Sequence, residues 1–317
     1  DGASGPPRPK QVIAVGGGRA GVGKTLLSAN LAVYLAQLGR NVVLFDADPF
    51  SSNMHTILGI DSPPLALPEA MREGNFEPVQ STVPGLKLVP TAYDRWKLAP
   101  RRVTRASHWL AQLDRVEADY AVLNLGASTN SASLDAFFGA NVSICVAAPE
   151  PPAIEATYRF CRALFARRLR RSLWRDRFRL RVVERALARL SARYDETVAN
   201  IGAAALYELR PTLVVGKTRL RRDLELGPAM ASLAERYLGV SLDYLGYVEQ
   251  DDNVWLTARK RRPLLIDAPT SKAARNIERV ARRLLARMAP QAQAPPPRDD
   301  APPQAHAPNP PLTLSAV

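Results

Sequence analysis

Cysteine and histidine are scarce in this chain of 317 residues. Its two cysteines, Cys145 and Cys161, show no metal-ligand spacing and cannot staple a chain of this length. That usage fits a reducing compartment, and the cytoplasm is the expected location. The three histidines, His55, His108 and His306, are scattered, with neither zinc spacing nor the neighbours of a nucleophilic triad. No apolar run approaches the roughly 20 residues of a membrane-spanning helix. Contact with a membrane is therefore expected only as a peripheral one, at its inner face. The opening DGASGPPRPK has no apolar signal core, and no internal repeat is visible. These absences set aside disulfide scaffolds, zinc centres built from histidine and cysteine, and helical membrane channels.

Acidic residues are also outnumbered. Forty-three Lys and Arg stand against 30 Asp and Glu, a net charge of +13. The excess is local. From Arg159 to Arg193 there are thirteen arginines and no lysine, against Asp176 and Glu184 alone. Such a stripe suits an anionic partner: DNA, the headgroups of a membrane surface, or an acidic protein. A solvated helix face is the alternative reading. Hydrophobic residues make up 46% of the chain, enough to bury a full core.

What the chain does contain is one dense stretch, GGGRAGVGKTL, over residues 16–26. The apolar segment QVIAV precedes it, and LLSANLAVYLAQLG, with apolar residues at helical spacing, follows. Within it Gly18, Gly23, Lys24 and Thr25 complete the pattern Gly-x-x-x-x-Gly-Lys-Thr. A strand, a glycine loop and a helix N-terminus in that order form a phosphate-binding P-loop. Glycines let the backbone turn so that successive N–H groups point at phosphate oxygens. The helix N-terminus adds unpaired donors and partial positive charge. Gly18, Arg19, Ala20, Gly21, Val22, Gly23, Lys24, Thr25 and Leu26 are thus the candidate nucleotide-binding residues. Lys24 is expected to reach the β- and γ-phosphates, and the Thr25 hydroxyl to ligate Mg²⁺.

Residues 1–10 read as a disordered leader, 11–289 as one nucleotide-binding domain and 290–317 as a disordered tail rich in Pro and Ala. Inside the domain, strands are expected at 11–17, 41–48, 85–91, 120–126, 142–149, 212–217 and 242–248. Helices are expected at 24–38, 106–116, from Pro151 and Pro152 onward, along a stretch carrying Val183, Leu187, Leu190 and Tyr194, at 223–238 and at 271–288. Alternating strands and helices predict an α/β fold, a doubly wound, mostly parallel sheet with helices on both faces. Such a sheet binds ligands at the carboxyl ends of its strands. The glycine loop, the loop carrying Asp46 and Asp48, and the loop after Leu125 all leave strands at that end. Two carboxylates beside a P-loop are suited to ordering a metal's water shell and placing a nucleophile; an ordinary strand-end turn is the plainer alternative.

RAGVGKTL resembles the deviant P-loop of the MinD/ParA family of ATPases, whose pattern is KGGxGK[ST][TS]. The resemblance continues in VVLFDADPFSSNMHTILGI, ADYAVLNLGAST, AAPEPPAIEATYRF and LGYVEQDDNVWLTARKRRPL, and spans about residues 10–289. It is strongest toward the FlhG/MinD branch, regulators of flagellum number and of the cell division site. It implies ATP and Mg²⁺ as ligands, an ATP-dependent homodimer and a regulatory protein partner. It further implies that Asp48 orients the attacking water and that Asp46 lies near the metal. Segment 271–288 resembles the family's final domain helix, packed on the sheet; an amphipathic membrane anchor is the alternative.

Departures from the family fall at Arg19, with Ala20 beside it in place of a Gly, at Asn124 and at Gly216. Arg19 stands where the family has a lysine that crosses the dimer to the partner's phosphates. Asn124 stands at the end of the Walker B strand in place of Asp, so an oxygen remains near the metal but its negative charge is gone. Gly216 stands where the family has an Asn that reads the adenine edge, so the base preference, ATP or GTP, stays open. The resulting expectation is a slow ATPase, with Asp48, Lys24 and Arg19 as catalytic residues and Thr25, Asp46 and Asn124 around the metal. Its role would be a dimerisation switch in spatial regulation. The alternative is a non-hydrolysing, nucleotide-binding scaffold that acts through its arginine-rich helices.

Overall fold

The computed structural model describes residues 10–48, 53–61, 78–90, 113, 116–172, 211–238 and 241–289. Eight strands form one sheet: β1 (Gln11–Gly16), β2 (Val42–Ala47), β3 (Val79–Gln80), β4 (Leu86–Val89), β5 (Tyr120–Leu125), β6 (Val142–Ala147), β7 (Thr212–Thr218) and β8 (Asp243–Glu249). Their order is β3-β4-β2-β5-β1-β6-β7-β8. Every described pairing is parallel except β3 with β4, at the edge. The expected doubly wound sheet is therefore what forms. Its two halves diverge on either side of β1, and the glycine loop leaves β1 at that switch point, where open parallel sheets bind ligands.

Apolar runs such as VIAV and VVLF suit strands covered on both faces. Residues in β1, β2 and β6 alternate between two cores. Ile13, Val15, Val42, Leu44, Ile144 and Val146 join the core under helices α1 (Lys24–Gln37) and, further along the chain, α8 (Lys272–Met288). Ala14, Val43, Phe45, Cys145 and Ala147 join the opposite core, which also takes in residues of α3 (Ser131–Gly139), α4 (Pro151–Ser172) and α5 (Asp223–Leu238). The short helices α2 (Met54–Ile57), α6 (Asp252–Arg259) and α7 (Leu264–Asp267) complete the described set.

Helix α8 buries Ile277, Val280, Ala281 and Leu284 against β8 and α1. It is packed as a domain helix, with its arginines toward solvent or tied down: Arg283 donates to the Leu245 carbonyl at 2.8 Å, and Arg287 pairs with Asp243. No helix among the described residues is long and apolar enough to cross a membrane. The two cysteines meet in the core between β6 and α4. The hydrogen bond to Cys161, and burial with it, holds the Cys145 thiol well above its ordinary range.

The leader, the tail and the helix carrying Val183 to Tyr194 lie outside the described residues. So does the helix expected over 106–116, apart from Leu113 and Val116.

Candidate functional site: a glycine loop between three strand ends

The loop after β1 is shaped by what lies beneath it. A Cβ at Gly18 would sit 1.9 Å from the Ala156 carbonyl oxygen of α4. A Cβ on Gly216 of β7 would sit 2.5 Å from the carbonyl oxygen of Val22. Side chains at either position would push the loop off its floor. Gly216 thus has a packing reason to be glycine, independent of any reading of a base. Phe137 and Phe160, edge to face at 5.2 Å between ring centroids, lie against Gly16.

Gly23 has φ of 106°, the left-handed region that favours glycine, and is the N-cap of α1. No side chain caps this helix, and its first turn holds no acidic residue. Its leading N–H groups therefore keep their capacity for an anion. Arg19, Ala20 and Gly21 are exposed at the crest, whereas Lys24 is 5% exposed. Lys24 Nζ donates to the Arg19 carbonyl at 2.7 Å, closing the loop on itself. Burial lowers the Lys24 pKa below its ordinary 10.5, opposed chiefly by the charge of Asp48. A buried cation of that kind gains when phosphate oxygens reach it.

The carboxylates arrive from β2. Asp46 and Asn124 are partners in register on β2 and β5, 2% and 1% exposed. Asn124 Nδ2 donates to Asp46 Oδ1 at 2.9 Å, and the Met54 N–H donates to Asp46 Oδ2 at 3.3 Å. The Ser28 hydroxyl, one turn into α1 from Lys24, donates to Asn124 Oδ1 at 3.4 Å. Asp48 is 7% exposed and lies over Gly126, where a Cβ would stand 2.8 Å from its Oδ1. The structure brings Lys24, Asp46, Asp48 and Asn124 to the carboxyl end of the sheet, with Thr25 beside Lys24 on α1.

Among the described residues no three His, Cys, Asp or Glu side chains gather as a metal site. Magnesium bound with a nucleotide needs no such cage, because phosphates and waters supply most of its ligands. One hydroxyl and one carboxylate fit that requirement, and Thr25 and Asp46 are residues of those two kinds at this end of the sheet.

Of the arginine stripe, residues 173–193 lie outside the described set. Within α4, Arg159 pairs with Glu155 and Arg167 grips Asp135 of α3 through two bonds, at 2.9 and 2.6 Å. That fork ties two helices together, so Arg167 serves the fold. Ser28, Met54 and Gly126 are the site residues the sequence reading passed over. Ser28 carried a signal, standing three and four residues after Thr25 and Lys24 on one helix face. The Met54 contact is through its backbone and carries none.

A glycine loop at the switch point, an uncapped helix N-terminus and a buried lysine beside strand-end carboxylates define a P-loop nucleotide-binding fold. The chain belongs to the CobQ/CobB/MinD/ParA nucleotide binding domain family, which matches residues 13–265. It is 26% identical over 281 residues to the antiactivator FleN of Pseudomonas aeruginosa, covering 87% of this chain and 86% of FleN. It is 27% identical over 288 residues to the septum site-determining protein MinD of Bacillus subtilis, covering 88% and 91%. The septum site-determining protein MinD of Pyrococcus horikoshii, solved in complex with Mg-ADP, shares the fold at a TM-score of 0.58 and 18% identity, with 88% of this chain and 98% of that one covered.

Proposed function

We infer that the protein is an ATP-dependent dimerisation switch in spatial regulation, of the kind that sets a division site, a flagellum number or a cargo position. The observation that carries this is the buried Lys24 at an uncapped helix N-terminus, flanked by Asp46 and Asp48. ATP would lie along the loop with its phosphates on the N–H groups of residues 21–25 and on Lys24. Magnesium, held by Thr25 and Asp46, would neutralise charge that develops between the β- and γ-phosphates. Asp48, lodged over Gly126, would orient the attacking water. Arg19, exposed on the crest, would meet a second copy's phosphates, which its planar fork suits. The relatives' names, antiactivator and septum site-determining protein, support a regulatory protein partner.

The test is mass in solution. Light scattering should read a monomer without nucleotide and a dimer with Mg-ATP, and Arg19→Ala should stay monomeric while still binding ATP. A wild type that remains monomeric with Mg-ATP and with a non-hydrolysable analogue would refute the switch.

A second reading, a scaffold that binds nucleotide without hydrolysing it, is favoured by Asn124, whose amide brings no charge to the site. Single-turnover phosphate release separates the two. A slow switch releases phosphate, Asp48→Ala abolishes that release, and Asn124→Asp raises it about ten-fold or more. A scaffold releases none.

A further inference from the structure

A chain of hydrogen bonds crosses the molecule beneath the loop. It runs from Ser28 on α1 to Asn124 on β5, from Asn124 to Asp46 on β2, and is met there by the N–H of Met54 at the start of α2. Only one orientation of the Asn124 amide is consistent with it. Turned over, the amide would set Oδ1 against the Asp46 carboxylate, acceptor against acceptor. Both oxygens of Asp46 thereby receive a donor, one from an amide and one from the backbone. A buried carboxylate is costly unless its charge is met by donors or by a cation. Here the Asn124 amide and the Met54 N–H are two of the groups that meet it.

We propose that Asn124 is a positioning residue that substitutes for a divalent cation in the metal-free protein, holding the Asp46 carboxylate in place through its Nδ2 donor. The inference rests on reading this site as a nucleotide site. Its consequence is that nucleotide binding by the wild type depends less on magnesium than binding by a protein with a carboxylate at position 124. A carboxylate at 124 has no N–H to give. Two carboxylates in register at hydrogen-bond distance repel each other and call for a cation. Asn124 removes that call, so Asp46 is already in place when nucleotide arrives.

The experiment compares wild type, Asn124→Asp and Asn124→Ala. Affinity for a fluorescent ATP analogue is measured in magnesium and in EDTA, and thermal unfolding is followed without nucleotide in the same buffers. The EDTA-to-magnesium ratio of Kd should be at least about ten-fold larger in Asn124→Asp than in wild type, the factor that 1.4 kcal/mol represents. Asn124→Ala should lose more affinity in EDTA than in magnesium, because the metal takes over the role of the missing donor. Magnesium alone should raise the unfolding temperature of Asn124→Asp and leave that of wild type unchanged. Equal ratios in all three proteins, with no magnesium-dependent unfolding of Asn124→Asp, would overturn the proposal. A side chain acting only through packing would shift both buffers equally. If wild type binds no nucleotide in either buffer, the reading of the site fails; the unfolding arm uses no nucleotide and still decides what Asn124 does. If Asn124→Asp folds in neither buffer, the two-buffer comparison of Asn124→Ala decides.

Discussion

Helices α1 and α8 cover the same face of the sheet and touch each other, yet they are stabilised by opposite means. Helix α8 is amphipathic and capped: the Ser271 hydroxyl accepts the Ala274 N–H at 3.2 Å, and a single apolar face is buried. Asn130 and Asp251 cap α3 and α6 in the same way. Helix α1 begins on a bare Gly23 and is buried nearly all round, from Leu27 to Ala36. Its stability comes from tertiary packing, with Asn30 reaching from its middle to the Leu265 N–H of α7. The difference teaches where the ligand goes. A helix held by its flanks can leave its first turn unpartnered; a helix held by its cap and one face cannot.

The comparison can be broken from either side. The largest expected effect is on α8: Leu284→Ala, at a fully buried position, should cost about 2–5 kcal/mol of stability and leave nucleotide affinity unchanged in the folded fraction. Denaturant unfolding and nucleotide titration of one sample measure both. Next is Lys24→Met, which should weaken nucleotide binding roughly 10- to 100-fold, the loss of a charge-assisted contact, without lowering the unfolding temperature of the nucleotide-free protein. The pH dependence follows from its lowered pKa. The unfolded chain keeps the lysine proton up to about pH 10.5, whereas the folded protein releases it at lower pH. Between those two values the unfolded state binds more protons, so stability rises with pH, and Lys24→Met should flatten that rise. A cap effect comes third: Ser271→Ala should cost about 1 kcal/mol, read by denaturant midpoint, with ATP affinity untouched. Smallest is Arg167→Ala. Its fork on Asp135 is partly exposed, so the loss should be no more than about 1 kcal/mol, again by denaturant midpoint. A large drop in nucleotide affinity from Ser271→Ala would erase the distinction drawn between the two helices.

Most of the sheet was legible because parallel strands buried on both faces write themselves as unbroken apolar runs, VIAV and VVLF among them. The P-loop was legible because its glycines and lysine stand at fixed spacing. What escaped was short or dependent on distant chain. Helix α3 is nine residues and follows a Ser/Thr/Asn-rich stretch that reads as loop until Asn130 is seen to cap it. Strand β3 has two residues and exists only through its pairing with β4. That Gly216 also gives clearance to the Val22 carbonyl was not legible, because the two residues stand almost 200 positions apart in sequence. Asn124 was legible as a missing charge but not as a donor, since the direction of an amide is set by its neighbours, here Ser28 and Asp46.

The contact between Gly18 and Ala156 has one more consequence. With 1.9 Å where a methyl group would go, the loop and α4 share a joint without clearance. Helix α4 is 22 residues long, about 33 Å by helical rise, and carries arginines toward its far end. Helix α4 is the floor of the loop, and it cannot be tilted at Ala156 without moving Gly18. A change in the tilt of α4 at Ala156 is thus felt at once by the backbone of the glycine loop.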